Sequence, residues 1–333
     1  MILTRGARIT GAVLCALLAV MVAGWLVRDF TAVGDPAELV RYWAGYYEVR
    51  LSAVPTTSAN DVALLVVYLV AAVAALRASV AATALVATGV VTLAVRLPAL
   101  WGIGESAMST RFSDDLRTRA LISAFAALAA GIALIITAGA GRGPSHDVSE
   151  GAPTRPAQGA SVTAFLLLGA SGALVIAWEI RRMVRFPVLF PEWYVGDSRI
   201  LQGLIDPPPG WVSAVVALLC LFAAVSALPR AVHTRPFGLI AAALLLTGGV
   251  TGVARAAHYQ MLDHFGDLPT EDQLTVMTSI FETVVGVVVL VVLARRGSTD
   301  APDPHPQGYG QGYGYPRPGV FGPPPPSQPP PGW

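Results

Sequence analysis

The chain has little charge and no lysine. Charged residues make up 13% of its 333 residues, whereas a soluble globular domain carries about 25%. All 22 basic residues are arginine and the formal net charge is only +1. A nucleic-acid-binding protein carries a basic patch or stripe, which this composition does not supply. The composition therefore disfavours a soluble domain and predicts no nucleic-acid partner.

Cysteine and histidine are also scarce. Cys15 and Cys220 lie near the middle of apolar segments, and their number and spacing fit neither a disulfide framework nor a metal site. The loop 256–276 contains histidines and aspartates, but their spacing matches no familiar ligand pattern. No Ser/His/Asp set or cysteine pair indicates nucleophilic catalysis. We therefore favour a protein without catalytic activity and predict no cofactor and no bound metal.

Long apolar runs are what the sequence does contain. Mean hydropathy is +0.60 and 54% of residues are hydrophobic. A helix needs roughly 20 apolar residues to cross a bilayer, and in lipid such a run must satisfy its own backbone polar groups. The predicted spans are 9–27, 61–76, 79–101, 119–139, 161–180, 211–228, 237–256 and 275–294. The sequence thus predicts an all-α transmembrane bundle of eight helices in a lipid bilayer.

One sequence pattern occurs twice. Its first copy consists of Thr88, Gly89, Val91, Thr92 and Arg96. Its second copy, with the same spacing, consists of Thr247, Gly248, Val250, Thr251 and Arg255. Other matches join Trp25 and Arg28 to Trp178 and Arg181, and Ser123 and Phe125 to Ser279 and Phe281. We predict two four-helix repeats, 1–142 and 161–297, with a linker at 143–160. Because four is even, the repeats should insert in the same direction, as parallel repeats.

Arginine density predicts the orientation. If loops alternate sides, the side holding both termini has ten arginines and only four acids, and the other side has 12 arginines and 17 acids. The first set lies in short, acid-poor turns, where the positive-inside bias acts. We therefore predict a multi-pass protein of the plasma membrane with both termini in the cytoplasm.

The segment 298–333 differs from the rest of the chain. It is rich in Pro, Gly and Tyr and shows no hydrophobic period, so we predict a disordered tail. Proline runs dock into aromatic grooves, which makes the tail a candidate site for a cytoplasmic partner. The alternative is a solvated extension. A partner would make the protein a non-catalytic membrane scaffold or envelope protein that recruits through its tail.

The repeated pattern also supplies candidate binding residues. Thr88, Thr92 and Arg96 are spaced i, i+4, i+8, so they share one helix face, as do the second-copy residues Thr247, Thr251 and Arg255. One hypothesis is that the two stripes line a cavity between the halves and hold a small anionic or lipid-like ligand. The alternative is structural: each threonine bonds to the i−4 carbonyl and each arginine extends to the headgroups.

Glu282 is the deepest acidic candidate for a site. Its counterpart in the first repeat is Ala126, so the carboxylate belongs to the second half alone. Two interpretations remain open, a structural pair with Arg255 and a functional proton or cation site. The outer loops 39–51 and 186–204 interleave aromatic and charged residues, which predicts short amphipathic segments at the interface or a lid. Among functions, we favour binding or transport of a small anionic or lipid-like ligand.

Overall fold

The computed structural model describes residues 2–46, 51, 53–143, 155–196 and 203–295. Within this part of the chain the α-helices are α1 (Arg5–Val33), α2 (Pro36–Trp43), α3 (Ala59–Arg77), α4 (Ala81–Arg96), α5 (Ala99–Gly102), α6 (Ser106–Arg111), α7 (Asp114–Ala140), α8 (Gln158–Arg185), α9 (Phe190–Val195), α10 (Pro209–Ala227), α11 (Thr234–His258) and α12 (Thr270–Ala294). Eight are long and apolar enough to cross a membrane, and α5 extends the span that α4 begins. The eight predicted helices are confirmed. The predicted tail lies outside the described residues.

Local sequence signals set the ends of the long helices. The Thr4 hydroxyl caps α1 by accepting from Ala7 N at 3.4 Å, and α1 stops at Gly34, whose φ of 79° suits glycine. Ser113 caps α7 in the same way, and the two aspartates that follow it place negative charge at the positive end of the helix dipole. Hydroxyl caps therefore mark the starts of α1 and α7, and a glycine marks the end of α1.

The helices pack in the same order in each half of the chain. In the first half α1 contacts α3 and α7, while α4 contacts α3 and α7; in the second half α8 contacts α10 and α12, while α11 contacts α10 and α12. Trp25 Nε1 donates to Ser123 Oγ at 3.2 Å, joining α1 to α7. Trp178 Nε1 donates to Thr278 Oγ1 at 3.0 Å, joining α8 to α12. In each half, the first long helix thus packs against the last one.

The bundle has two polar ends, which we name the Arg5 face and the Asp61 face. At the Arg5 face the two-residue strands β1 (Ile2–Leu3) and β2 (Arg142–Gly143) pair antiparallel and hold the start of α1 beside the end of α7. The Asp61 face carries the start of α3 and both short helices of the long loops, α2 and α9. The halves meet through α3 and α4 on one side and α10 and α11 on the other.

Gly89 marks the closest crossing of α4 and α7. A Cβ at Gly89 would lie 2.6 Å from Gly131 O and 2.9 Å from Ile135 Cγ1. Real Cβ atoms do not approach a backbone oxygen this closely, so any side chain at this position would push the helices apart. Glycine therefore allows the backbones to pack directly, as is common between membrane helices.

We predict that Gly89→Ala destabilises the bundle by about 1–3 kcal/mol, because the added methyl overpacks the crossing. The matched control is Gly139→Ala on α7, where a Cβ meets nothing within 4 Å. Thermal unfolding midpoints in mild detergent measure the difference. Equal midpoints for the two variants would contradict the close crossing.

Candidate functional site

Asp29 anchors a loop to the end of α1. Its side chain is fully buried and accepts hydrogen bonds from the backbone N and the hydroxyl of both Thr56 and Thr57, at 2.6 to 2.9 Å. Arg28 adds an ion pair at 2.7 Å. A buried carboxylate is stable only when donors and a counter-charge surround it. This arrangement fixes the segment that leads into α3.

Arg96 and Asp61 form a buried ion pair next to this loop. Arg96 ends α4 and is 5% exposed; its Nη2 contacts Asp61 Oδ1 on α3. Arg96 Nη1 also donates to Ile205 O at 3.2 Å, in the segment that enters α10. The pair therefore joins α3 and α4 to the second half of the chain. The alternative in which Arg96 extends to the headgroups is wrong, because the guanidinium lies inside the protein.

Asp206 lies beside the ion pair and is half-buried, with its Oδ1 shielded from solvent. The pKa of Asp206 is raised to about 7: removal from water is the main cause, the negative charge of Asp61 acts in the same direction, and Ser58 and Arg96 offset part of the rise. An ordinary aspartate is ionised at neutral pH, whereas a carboxyl in this environment exchanges a proton near neutrality. Asp206 is thus a titratable group at the boundary between the halves.

A pocket of about 230 Å³ opens next to Asp206, and we call it the inter-half pocket. Thr247 and Thr251 of α11 line it from the second half, and Ser58 and Asn60 line it from the first. Both threonine hydroxyls donate within their own helix, to Ala243 O at 2.9 Å and Thr247 O at 3.0 Å. Their oxygens keep acceptor lone pairs. The two threonines of the second stripe therefore lie at a cavity between the halves.

The first stripe lies elsewhere. Thr92 is buried, donates to Thr88 O at 2.7 Å and lies 3.0 Å from Tyr68 Oη. Thr88 lines a different cavity, a groove of about 720 Å³ that we call the inter-half groove. Arg255 lines neither cavity; its guanidinium lies 3.5 Å from where a Cβ at Gly45 would stand. The structure therefore does not bring the two stripes together around one ligand.

Glu282 reaches a third cavity, of about 360 Å³, between α8, α10 and α12. We call it the α12 vestibule. Among the described residues no ion pair joins Glu282 to Arg255, so the first of the two interpretations left open by the sequence is not seen there. Apart from Arg255, the predicted site residues are thus divided among three cavities and the buried side chains of α4.

Sequence reasoning missed the acidic partners Asp29 and Asp61 and the proton-binding group Asp206. One signal for Asp61 was available: it follows Ser58 by three residues, which is capping-box spacing, and Ser58 N donates to Asp61 Oδ2 at 2.9 Å. Asp29 and Asp206 carry no such signal, because their surroundings are built from segments distant in sequence.

We predict that Asp206→Asn changes how stability depends on pH. The pKa of the Asp206 carboxyl is higher in the folded state than its value near 3.9 in the unfolded chain. Its contribution to the free energy of unfolding is therefore fully present below about pH 3.9 and is lost as the pH rises through about 7. The amide removes the charge, so the variant should have a higher unfolding midpoint than the wild type at pH 8 and little advantage at pH 4. The exposed Asp263→Asn is the control. A constant difference between pH 4 and pH 8 would contradict the assignment.

Comparisons with protein-family models, with curated proteins and with solved structures found no match to this chain. No relative therefore supplies a ligand or a residue role. The eight apolar helices are consistent with a multi-pass membrane protein.

Proposed function

We propose that the protein binds an anionic, lipid-like ligand in the inter-half groove. The observation that carries this proposal is the charge of the groove. Its apolar walls come from α3, α4, α11 and α12, and its only charged lining residues in the described part of the chain are Arg77 and Arg235. An apolar channel with arginine and no acid at its mouth complements an acyl chain with an anionic head.

The groove has the depth of one lipid leaflet. Arg77 ends α3 at the Arg5 face, and Val66, eleven positions earlier on the same helix, lines the inner part of the groove. At 1.5 Å per residue this spans about 16 Å, close to half of the roughly 30 Å hydrocarbon core. Thr88 and, close to Arg77 in sequence, Ser79 add hydroxyl groups to the mostly apolar lining. A lipid from the Arg5-face leaflet therefore fits the groove in length.

The two arginines differ in their other contacts. Arg235 Nε donates to Leu293 O at 2.9 Å and its Nη2 donates to Arg295 O at 2.9 Å, so Arg235 holds the end of α12. Arg77 is exposed. A guanidinium can bind a phosphate through two parallel hydrogen bonds. Arg77 is therefore the better candidate to bind the head of the ligand, with Arg235 adding positive charge.

The membrane setting is part of the proposal. The Arg5 face carries the arginine-rich, acid-poor turns, which supports a cytoplasmic location for this face and for both termini. Anionic lipids are concentrated in the cytoplasmic leaflet of a plasma membrane. The ligand would then enter the groove from the cytoplasmic leaflet. Transport of the ligand would require a further step that the groove alone does not supply.

We also propose that the two halves are parallel repeats. The matched order of helix contacts supports this. Trp25 and Trp178 also each donate to a hydroxyl of the last long helix of their half, although the acceptor in the second half is Thr278 and not Ser279, the predicted counterpart of Ser123. The scaffold alternative depends on the tail, which lies outside the described residues, and it stays a prediction. The groove is the observation that favours ligand binding over scaffolding.

We predict that Arg77→Gln weakens retention of an anionic lipid about fivefold, since each arginine near a membrane surface contributes about 1 kcal/mol. Native mass spectrometry in mild detergent, with phosphatidylglycerol added, measures the bound lipid. Ala74→Phe, which fills the groove, should remove the bound mass. Phosphatidylcholine should bind more weakly to the wild type.

Two variants serve as controls. Arg5→Gln removes the same charge from the same face, outside the groove, and Ala129→Phe adds the same ring at an exposed position on α7. Both should retain the lipid. Equal retention in all four variants would overturn the proposed groove site and turn attention to the tail.

A further inference from the structure

The α12 vestibule runs from the Asp61 face to the middle of the membrane span. Arg181, Arg185 and Glu271 line its mouth and Glu282 lines its floor. Glu282 is the thirteenth residue of α12, which has 25 residues, so it lies at the midpoint of the helix. At 1.5 Å per residue, Glu271 and Glu282 are about 16 Å apart along the axis. The cavity therefore connects an aqueous face with a carboxylate deep in the span.

The charged side chains at the mouth pair with one another. Arg181 and Arg185 share Glu271, at 2.9 and 3.2 Å. Arg182 pairs with Glu179 and stacks over Trp193, 4.1 Å from the ring centre. The buried Cys220 thiol of α10 does not line the vestibule, but it lies close enough for the charge of Glu282 to act on it. In the described part of the chain Glu282 has no ion-pair partner.

One face of α12 forms a polar path along the vestibule. Between Glu271 and Glu282 this face carries the hydroxyls of Thr275, Thr278 and Ser279. Each hydroxyl donates to the carbonyl four residues earlier, at 2.8 to 3.1 Å. Because the hydroxyl protons are used within the helix, the oxygens keep lone pairs that can accept hydrogen bonds from water. The path is suited to a chain of water molecules.

We propose that Glu282 is a proton-exchange site, reached by water through the α12 vestibule from the Asp61 face. An isolated carboxylate within a membrane span is costly, and binding a proton removes that cost. A metal cation would need more ligands, and the described residues contain no group of three or more His, Cys, Asp or Glu placed to hold one. This site goes beyond the proposed lipid groove and uses a different cavity on the opposite face.

Carbodiimides test the proposal, because they modify protonated carboxyl groups. The full-length protein in nanodiscs is treated with a water-soluble carbodiimide, and the modified peptides are identified by mass spectrometry. We expect modification at Glu282, with a rate that falls about tenfold per pH unit once the carboxyl is mostly ionised. Val175→Trp, which narrows the vestibule, should abolish this modification while a hydrophobic carbodiimide still reacts from the lipid side.

Val284→Trp is the matched control, since residue 284 is 55% exposed on the outer surface of the same helix, and it should leave the modification unchanged. Glu282→Gln confirms the peptide assignment. Modification by the hydrophobic reagent alone would overturn the aqueous path. Protection by added Na⁺ at constant pH would overturn the proton assignment in favour of a metal cation. A failure of the lipid-groove experiment would leave these outcomes unaffected.

Discussion

The ion pair between Arg96 and Asp61 determines how the Asp61 face is built. An arginine buried at the end of a membrane helix needs a counter-charge and acceptors for its remaining N–H groups. Asp61 supplies the charge from α3, and Ile205 O supplies an acceptor from the segment before α10. One guanidinium therefore orients α3 against α4 and holds the second half of the chain beside the first.

The neighbouring polar groups depend on that arrangement. Asp206 lies close enough to Asp61 for its proton affinity to rise, and Asp29 fixes the loop from which α3 begins. The first half thus surrounds its carboxylates with donors, whereas Glu282 in the second half faces a cavity. In the repeat alignment predicted from the sequence, Glu282 corresponds to Ala126. Under the proposed repeat architecture, the two halves share the same helix arrangement. They differ in the surroundings of their acidic side chains.

The sequence predicted the eight helices well because membrane spans depend on length and composition, which are local properties. It also identified Arg96 and Glu282 as residues that the bilayer makes costly. It did not predict their surroundings. A helix that is apolar on nearly every side has no periodic pattern that predicts its rotation about its own axis. Packing between segments distant in sequence decides that rotation, and with it whether a side chain faces an ion pair or a cavity. Of the two interpretations that the sequence left open for Glu282, the ion pair with Arg255 is not formed for this reason: Arg255 lies near the end of α11, and Glu282 lies at the middle of α12 and lines the α12 vestibule.

A double-mutant cycle on Asp61 and Arg96 tests the role of the ion pair most directly. Asp61→Asn keeps an oxygen for the Ser58 cap and leaves the arginine buried without its counter-charge, while Arg96→Met does the reverse. We expect each single variant to lose about 3–5 kcal/mol of unfolding free energy in a detergent titration, and the double variant to lose much less than the sum. Losses that add to within about 0.5 kcal/mol would contradict the pair as the organising contact of this face.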